Sequence, residues 1–186
     1  TMTETTQTRH PIGIDGEEPL NAALYVRSDV SAASRRQIDI VTERLRTLAE
    51  TPLVDDVRLE QWPPQQSIAT AEGAGQSPRG ELASEFEAWA TERGVSLRPA
   101  IRRQVVPSSL IGAGDAYTEV RVPVMTLALY AETADELRGV VPYTDTSQEG
   151  ESTTYTVGDW LSAAEAESAN VVSQRGIESG GQNSTA

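Results

Sequence analysis

Residues 20–62, LNAALYVRSDVSAASRRQIDIVTERLRTLAETPLVDDVRLEQW, contain one complete strand–helix–strand unit. Leu20 to Arg27 alternates, with Ala22, Leu24 and Val26 on one face, the period of a half-buried strand. Ser31 is placed to cap a helix. From Ala32 to Glu50, Ile38, Val41, Leu45 and Leu48 recur at helical spacing, while Arg35, Arg36, Arg44 and Arg46 fall with Asp39 and Glu43 on the polar sides. Thr51-Pro52 stops this helix, because proline cannot continue the hydrogen-bond ladder. Leu53 to Trp62 reads as a second strand, with Val57 and Leu59 in partial alternation, and Pro63-Pro64 ends it. If the two strands are parallel neighbours, the crossover between them is right-handed.

Outward from this unit the pattern changes. Residues 65–79, QQSIATAEGAGQSPR, form a polar Gly/Ala/Ser-rich loop read as disordered. Gly80 to Arg93 predicts a second helix, with Leu82, Phe86 and Trp89 on one stripe and Gly94 as its C-cap. Ser96 to Val106 reads as a third strand, and Pro107 to Ala116 as a turn-rich connection. Tyr117 to Tyr130 reads as one long fourth strand. Its apolar residues change face at Pro123, where a bulge, bend or exposed edge is expected; alternatively the C-terminal half of the strand is buried on both faces. Leu137 to Tyr143 is a fifth strand, returning as a hairpin, and Asp145 to Ser152 a polar loop. Thr156 caps a short final helix, Val157 to Glu165.

These elements predict an α+β fold. A mixed, largely antiparallel sheet of four or five strands carries two main helices on one face, a ferredoxin-like variant with a short C-terminal helix. The expected organisation is a flexible lead over 1–17, a single domain over 18–166, and a disordered tail over 167–186.

Composition narrows the function classes. All fifteen basic residues are arginine, against 28 Asp and Glu, for a net charge of -13. Such a surface is soluble and self-repelling, and arginine pairs with carboxylates better than the more strongly hydrated lysine does. The balance resembles that of proteins from salt-in halophiles. Apolar residues are 38% of the chain with a single Phe, so the core must rest on Val, Leu, Ile and Ala. There is no cysteine, which removes disulfides, thiolate metal sites and cysteine nucleophiles and fits a cytoplasmic location. Residues 1–16 lack the apolar stretch of a secretory signal. No run approaches the about 20 apolar residues of a membrane span.

Few residues carry chemistry. His10 is the only histidine and lies in the lead, which leaves no histidine base or ligand in the predicted domain. No lysine is present for a phosphate-binding loop of the Walker type. Gly112-Ala113-Gly114-Asp115 resembles the front of a dinucleotide fingerprint, but a strand follows it where a helix is needed, so it reads as a turn. Asp55 and Asp56 are adjacent in a strand and point to opposite faces, which argues against a shared acid–base or metal role. The Asn183-Ser184-Thr185 sequon falls in the tail. No cofactor is expected.

The polar signal that remains is arginine. Arg98 and Arg102, four apart in the predicted strand, share a face; Arg103 takes the other, and Arg93 lies just upstream. Arg35 and Arg36 occupy the first turns of the first helix, where positive charge opposes the dipole. Both groups are candidate contacts for a partner or an anion, with pairing to the chain's own acids as the competing reading. Trp89 and Trp160 fit helix core faces. Trp62, before two prolines, is the tryptophan most open to solvent on this pattern and joins the candidate contacts.

The runs PVMTLALYAE, LRGVVPYTD and TYTVGDWLSAAE, between Pro123 and Glu165, together with YVRSDVSAASRRQ over Tyr25 to Gln37, resemble a family of acidic haloarchaeal proteins often given a generic helix-turn-helix label. The matching positions are Gly139, Val140, Pro142 and Asp145 in a turn, and Thr156, Val157, Asp159 and Leu161 at a helix start. The resemblance implies DNA-linked regulation and carries no catalytic residues. A helix-turn-helix needs two helices joined by a tight turn, whereas a strand and a long loop separate the two predicted here. The sequence therefore favours a non-enzymatic binding or regulatory module acting through protein contacts or self-association, at a strand edge near Pro123. A DNA-binding regulator is the alternative, disfavoured by net charge, and an enzyme working with carboxylates a lesser one.

Overall fold

The structure, a computed structural model, describes residues 14, 18–65, 77–107, 116–133 and 135–178. Strand β1, Leu20–Val26, lies inside the main sheet. Helix α1, Ala32–Leu48, follows it. Ser31 caps α1 by accepting a hydrogen bond from the Ser34 backbone N–H at 3.1 Å, as its place in the sequence predicts. Strand β2, Val54–Gln61, pairs parallel with β1, Leu24 opposite Leu59 and Val26 opposite Gln61. On its other side β1 pairs antiparallel with β5, Met125–Ala131, and β5 in turn with β6, Leu137–Val141. The sheet order is β2-β1-β5-β6, mixed and largely antiparallel, so the α+β class holds.

Both faces of this sheet are covered. Residues paired across strands share a face. Leu24 and Ala22 stand with Leu127 and Leu129 on one face, and Tyr25 and Ala23 with Thr126 and Ala128 on the other. All of these are buried except Tyr25, which is partly so. Helix α2, Pro78–Arg93, covers the Tyr25 face, where Phe86 meets Tyr25 edge-on at 5.7 Å between ring centres. Helix α3, Val157–Glu178, touches α1 through Arg44 and Glu165, whose two hydrogen bonds measure 2.8 and 2.9 Å. With α2 on the Tyr25 face, the buried Leu24 face is left to α1 and α3, which contact β1 and β5. The two main helices thus divide between the faces instead of sharing one. The sequence signal was present: Leu24 and Tyr25, or Leu127 and Ala128, are consecutive residues that are both apolar or aromatic.

Three boundaries differ from the sequence reading. The long fourth strand is two strands in two sheets. β4, Ala116–Arg121, pairs with β3, Arg102–Pro107, in a separate ribbon. Val122 and Pro123 carry the chain to β5, since proline cannot donate to a ladder. β5 is paired on both sides, whereas β4, which ends two residues before Pro123, pairs on one side only, with β3. The third strand begins only at Arg102, because residues 98–100 turn ahead of it and Ser96 makes just an isolated bridge to Thr144. The expected loop at 145–152 is a hairpin of β7, Tyr143–Gln148, and β8, Glu151–Tyr155. Gly150 at φ 90° supplies the positive φ of its tight turn.

The C-terminal helix also runs further than expected. It continues to Glu178 through residues that the sequence reading left as tail. Trp160, Leu161, Ala164 and Ser168 are buried at spacings of one, three and four, so the inward stripe passes Glu165. Residues 66–76 of the predicted loop, the Gly112–Asp115 turn, His10 and the sequon lie outside the described residues. No helix among the described residues is long and apolar enough to cross a membrane.

Candidate functional site

β1 and β2 run parallel and so deliver their C-terminal ends to the same edge of the sheet. In open α/β sheets ligands bind outside the carboxyl ends of such strands. Here Arg27 to Asp29 leave β1 and Trp62 to Gln65 leave β2. The start of α2 and the β3–β4 ribbon close around them, leaving a cleft of about 620 Å³ lined by Arg27, Arg79, Arg102 and Arg121, with Asp29 and Glu119. Gln65 fixes one wall: its Oε1 accepts from the Val120 backbone N–H at 3.1 Å.

Each arginine is held differently. Arg79 follows Ser77, the N-cap, and Pro78 in the first turn of α2. It is only 8% exposed. Its Nε donates to the Pro63 carbonyl at 2.7 Å and its Nη1 to the Val120 carbonyl at 3.3 Å. Among the described residues it has no ion pair. Burial lowers its pKa; Asp29 opposes that effect and Arg27 adds to it, but a guanidinium stays charged. Arg27 reaches the Val122 carbonyl at 3.4 Å. Its Nε lies 3.0 Å from Asp29 Oδ1, yet that buried N–H makes no hydrogen bond. The contact is close in distance but poorly aligned, which makes it a weak ion pair.

Arg102 and Arg121 stand directly opposite each other on β3 and β4. Like charges in that position destabilise a ladder. Arg121 lies 3.4 Å from Glu119 and is half-exposed, while Arg102 is exposed and without an ion pair among the described residues. Four arginines against two carboxylates leave two positive charges in surplus, within a chain of net charge -13.

The residues singled out in the sequence scatter around this site. Arg102 lines it. Arg98 sits in the turn before β3, exposed, so it does not share a strand face with Arg102. Arg103 points away and braces α2: its Nε lies 3.2 Å from Glu87 Oε2, and its Nη2 donates to Ser84 Oγ at 2.7 Å and the Gly80 carbonyl at 3.2 Å. Arg35 and Arg36 are exposed on α1, with no ion pair among the described residues. Trp62 is corrected outright. It is 2% exposed and packs against Tyr25 and Phe86 at 5.8 and 5.7 Å, because the chain turns inward under α2 before the prolines. It cannot serve as a surface contact.

Sequence reasoning missed Arg27, Arg79 and Arg121. The Ser77-Pro78 cap placed Arg79 in a first helical turn, and Arg27 followed the first parallel strand; both signals were readable. Arg121 could be paired with Arg102 only once the ribbon was known. Among the described residues no group of three His, Asp or Glu gathers to hold a metal.

Comparison with curated proteins returned no match, and comparison with solved structures returned none. A family model described as a helix-turn-helix domain matches residues 15–169. Among the described residues β2 separates α1 from α2, and six strands separate α2 from α3, so none of these helix pairs is joined by a tight turn. The match spans most of the molecule, from before β1 into α3, and the chain belongs to this helix-turn-helix domain family.

Proposed function

We propose that this protein is a non-enzymatic regulatory module of a salt-in haloarchaeon, and that it works by binding an anionic group of its partner in the arginine-lined cleft. The observation that carries this reading is the cross-strand pair Arg102–Arg121 beside buried Arg79. An arrangement that costs stability as it stands is accounted for if an anion joins it. A protein is the expected partner. Self-association through the β2 edge is a weaker route, because Asp55, Asp56, Arg58 and Glu60 are exposed along it and charges blunt a strand edge.

Capture of partners from the native host in multimolar KCl tests this. The wild-type chain should retain a stoichiometric protein, and an Arg102→Gln/Arg121→Gln chain should lose it. Equal retention by both chains refutes the cleft as the site.

DNA binding is the second reading. The family description favours it, and so do Arg35 and Arg36, exposed on α1 and without an ion pair among the described residues. Counterion release is a weak driving force in concentrated salt. If this reading holds, the same capture recovers specific DNA, and Arg35→Gln/Arg36→Gln abolishes the gel shift.

A further inference from the structure

We infer that the cleft also takes a phosphoryl group on a small molecule of nucleotide size, in competition with the anionic group of the protein partner; this rests on the cleft being the protein's binding site. The charge comes first. One carboxylate carries a single negative charge and is satisfied by one guanidinium fork. The cleft offers four guanidiniums with two acids, so a monoanion leaves positive charge uncompensated. A phosphomonoester carries about −1.5 to −2 at neutral pH and three acceptor oxygens. That matches the surplus of two and gives several N–H groups a partner.

Depth comes second. Arg79 is almost fully buried, tied to the carbonyls of Pro63 and Val120, and lies in the first turn of α2. Its guanidinium puts positive charge on the cleft wall, as the one residue of α2 that lines it. Arg27, with its buried and unbonded Nε, stands beside it. Arg102 and Arg121 flank the opening on the ribbon and can close on a second phosphoryl group or on the rest of the ligand. A cleft of about 620 Å³ lies within the range of small-molecule sites.

Salt comes third. In molar salt the screening length is about 3 Å, so attraction across the surface is lost while contacts inside a concavity persist. A site meant to work there must bind by direct forks, which arginine supplies.

The test is calorimetric titration of the full chain in molar KCl with inorganic pyrophosphate, adenosine 5′-diphosphate, adenosine and a glutamate oligomer. Pyrophosphate and the diphosphate should bind, and adenosine should not. Arg102→Gln and Arg121→Gln, both at exposed positions, should each weaken binding about tenfold or more without moving the melting temperature by more than a degree or two. Arg79→Gln should abolish binding, and its circular dichroism reports whether the fold survives. Binding of the glutamate oligomer through the same arginines, with none of pyrophosphate, overturns the phosphoryl assignment and leaves the cleft as a carboxylate site. Pyrophosphate binding that the double variant does not weaken overturns the location. Absence of binding by every probe overturns the inference, and partner capture with the double variant then decides separately whether the cleft matters at all.

Discussion

Thr156 and Asp159 form a reciprocal cap at the start of α3. Asp159 Oδ2 accepts from the Thr156 backbone N–H and from its hydroxyl, both at 2.8 Å, and Thr156 Oγ1 accepts from the Asp159 N–H at 3.2 Å. Those bonds hold the Asp159 carboxyl below the usual aspartate range. A depressed folded pKa contributes stability that is complete above the unfolded value, about 3.9, and is lost as pH falls through the lower folded value. Asp159→Asn should therefore flatten the acid limb of stability against pH, read by urea melts below about pH 5. Thr156→Ala should cost about 1 kcal/mol at neutral pH. Trp62 belongs to the core, so Trp62→Ala should cost about 3 to 5 kcal/mol. A contact residue exposed to solvent would lose binding and leave stability nearly unchanged, and denaturant titration separates the two.

At the scale of elements, the strand–helix–strand unit was legible to within a residue or two because cap, stripe and stop agree: Ser31, the Ile38–Leu48 face and Pro52. The β4–β5 break was visible as a change of face at Pro123, but alternation within one strand cannot say whether a chain bends or changes sheets. The extension of α3 was hidden because Ser168 is polar although it lies on the inward stripe. It is buried, so Ser168→Pro should lower stability by about 3 kcal/mol; an unstructured tail would show no change. The Arg44–Glu165 pair is partly exposed on both sides. The hydrogen bond from Arg44 holds the Glu165 carboxyl below its ordinary range. A double-mutant cycle on the two should return about 0.5 to 1 kcal/mol, less in high salt.

Over the whole molecule, fifteen arginines do not spread evenly against 28 acids. Four gather at the cleft, and the remaining surface is left strongly acidic. Self-repulsion of that surface should make the protein gain stability as KCl rises from about 0.1 M, where charges act over about 10 Å, to about 1 M, where they act over about 3 Å. Thermal melts along that series check it, and a midpoint that falls with salt contradicts it. Composition made this imbalance plain. The site itself was only partly legible, since Arg27, Arg79, Arg102 and Arg121 come from four separate segments that meet only after two sheets have formed.

Because every basic side chain is arginine, labelling arginine with ¹⁵N reports on all of them in one spectrum. We would titrate pyrophosphate into that sample in molar KCl and follow the Nε–Hε signals. The account predicts shifts concentrated on Arg27, Arg79, Arg102 and Arg121, with Arg35, Arg36 and Arg46 unmoved. Shifts that track solvent exposure across all the arginines, or that fall on Arg35 and Arg36 alone, would contradict it.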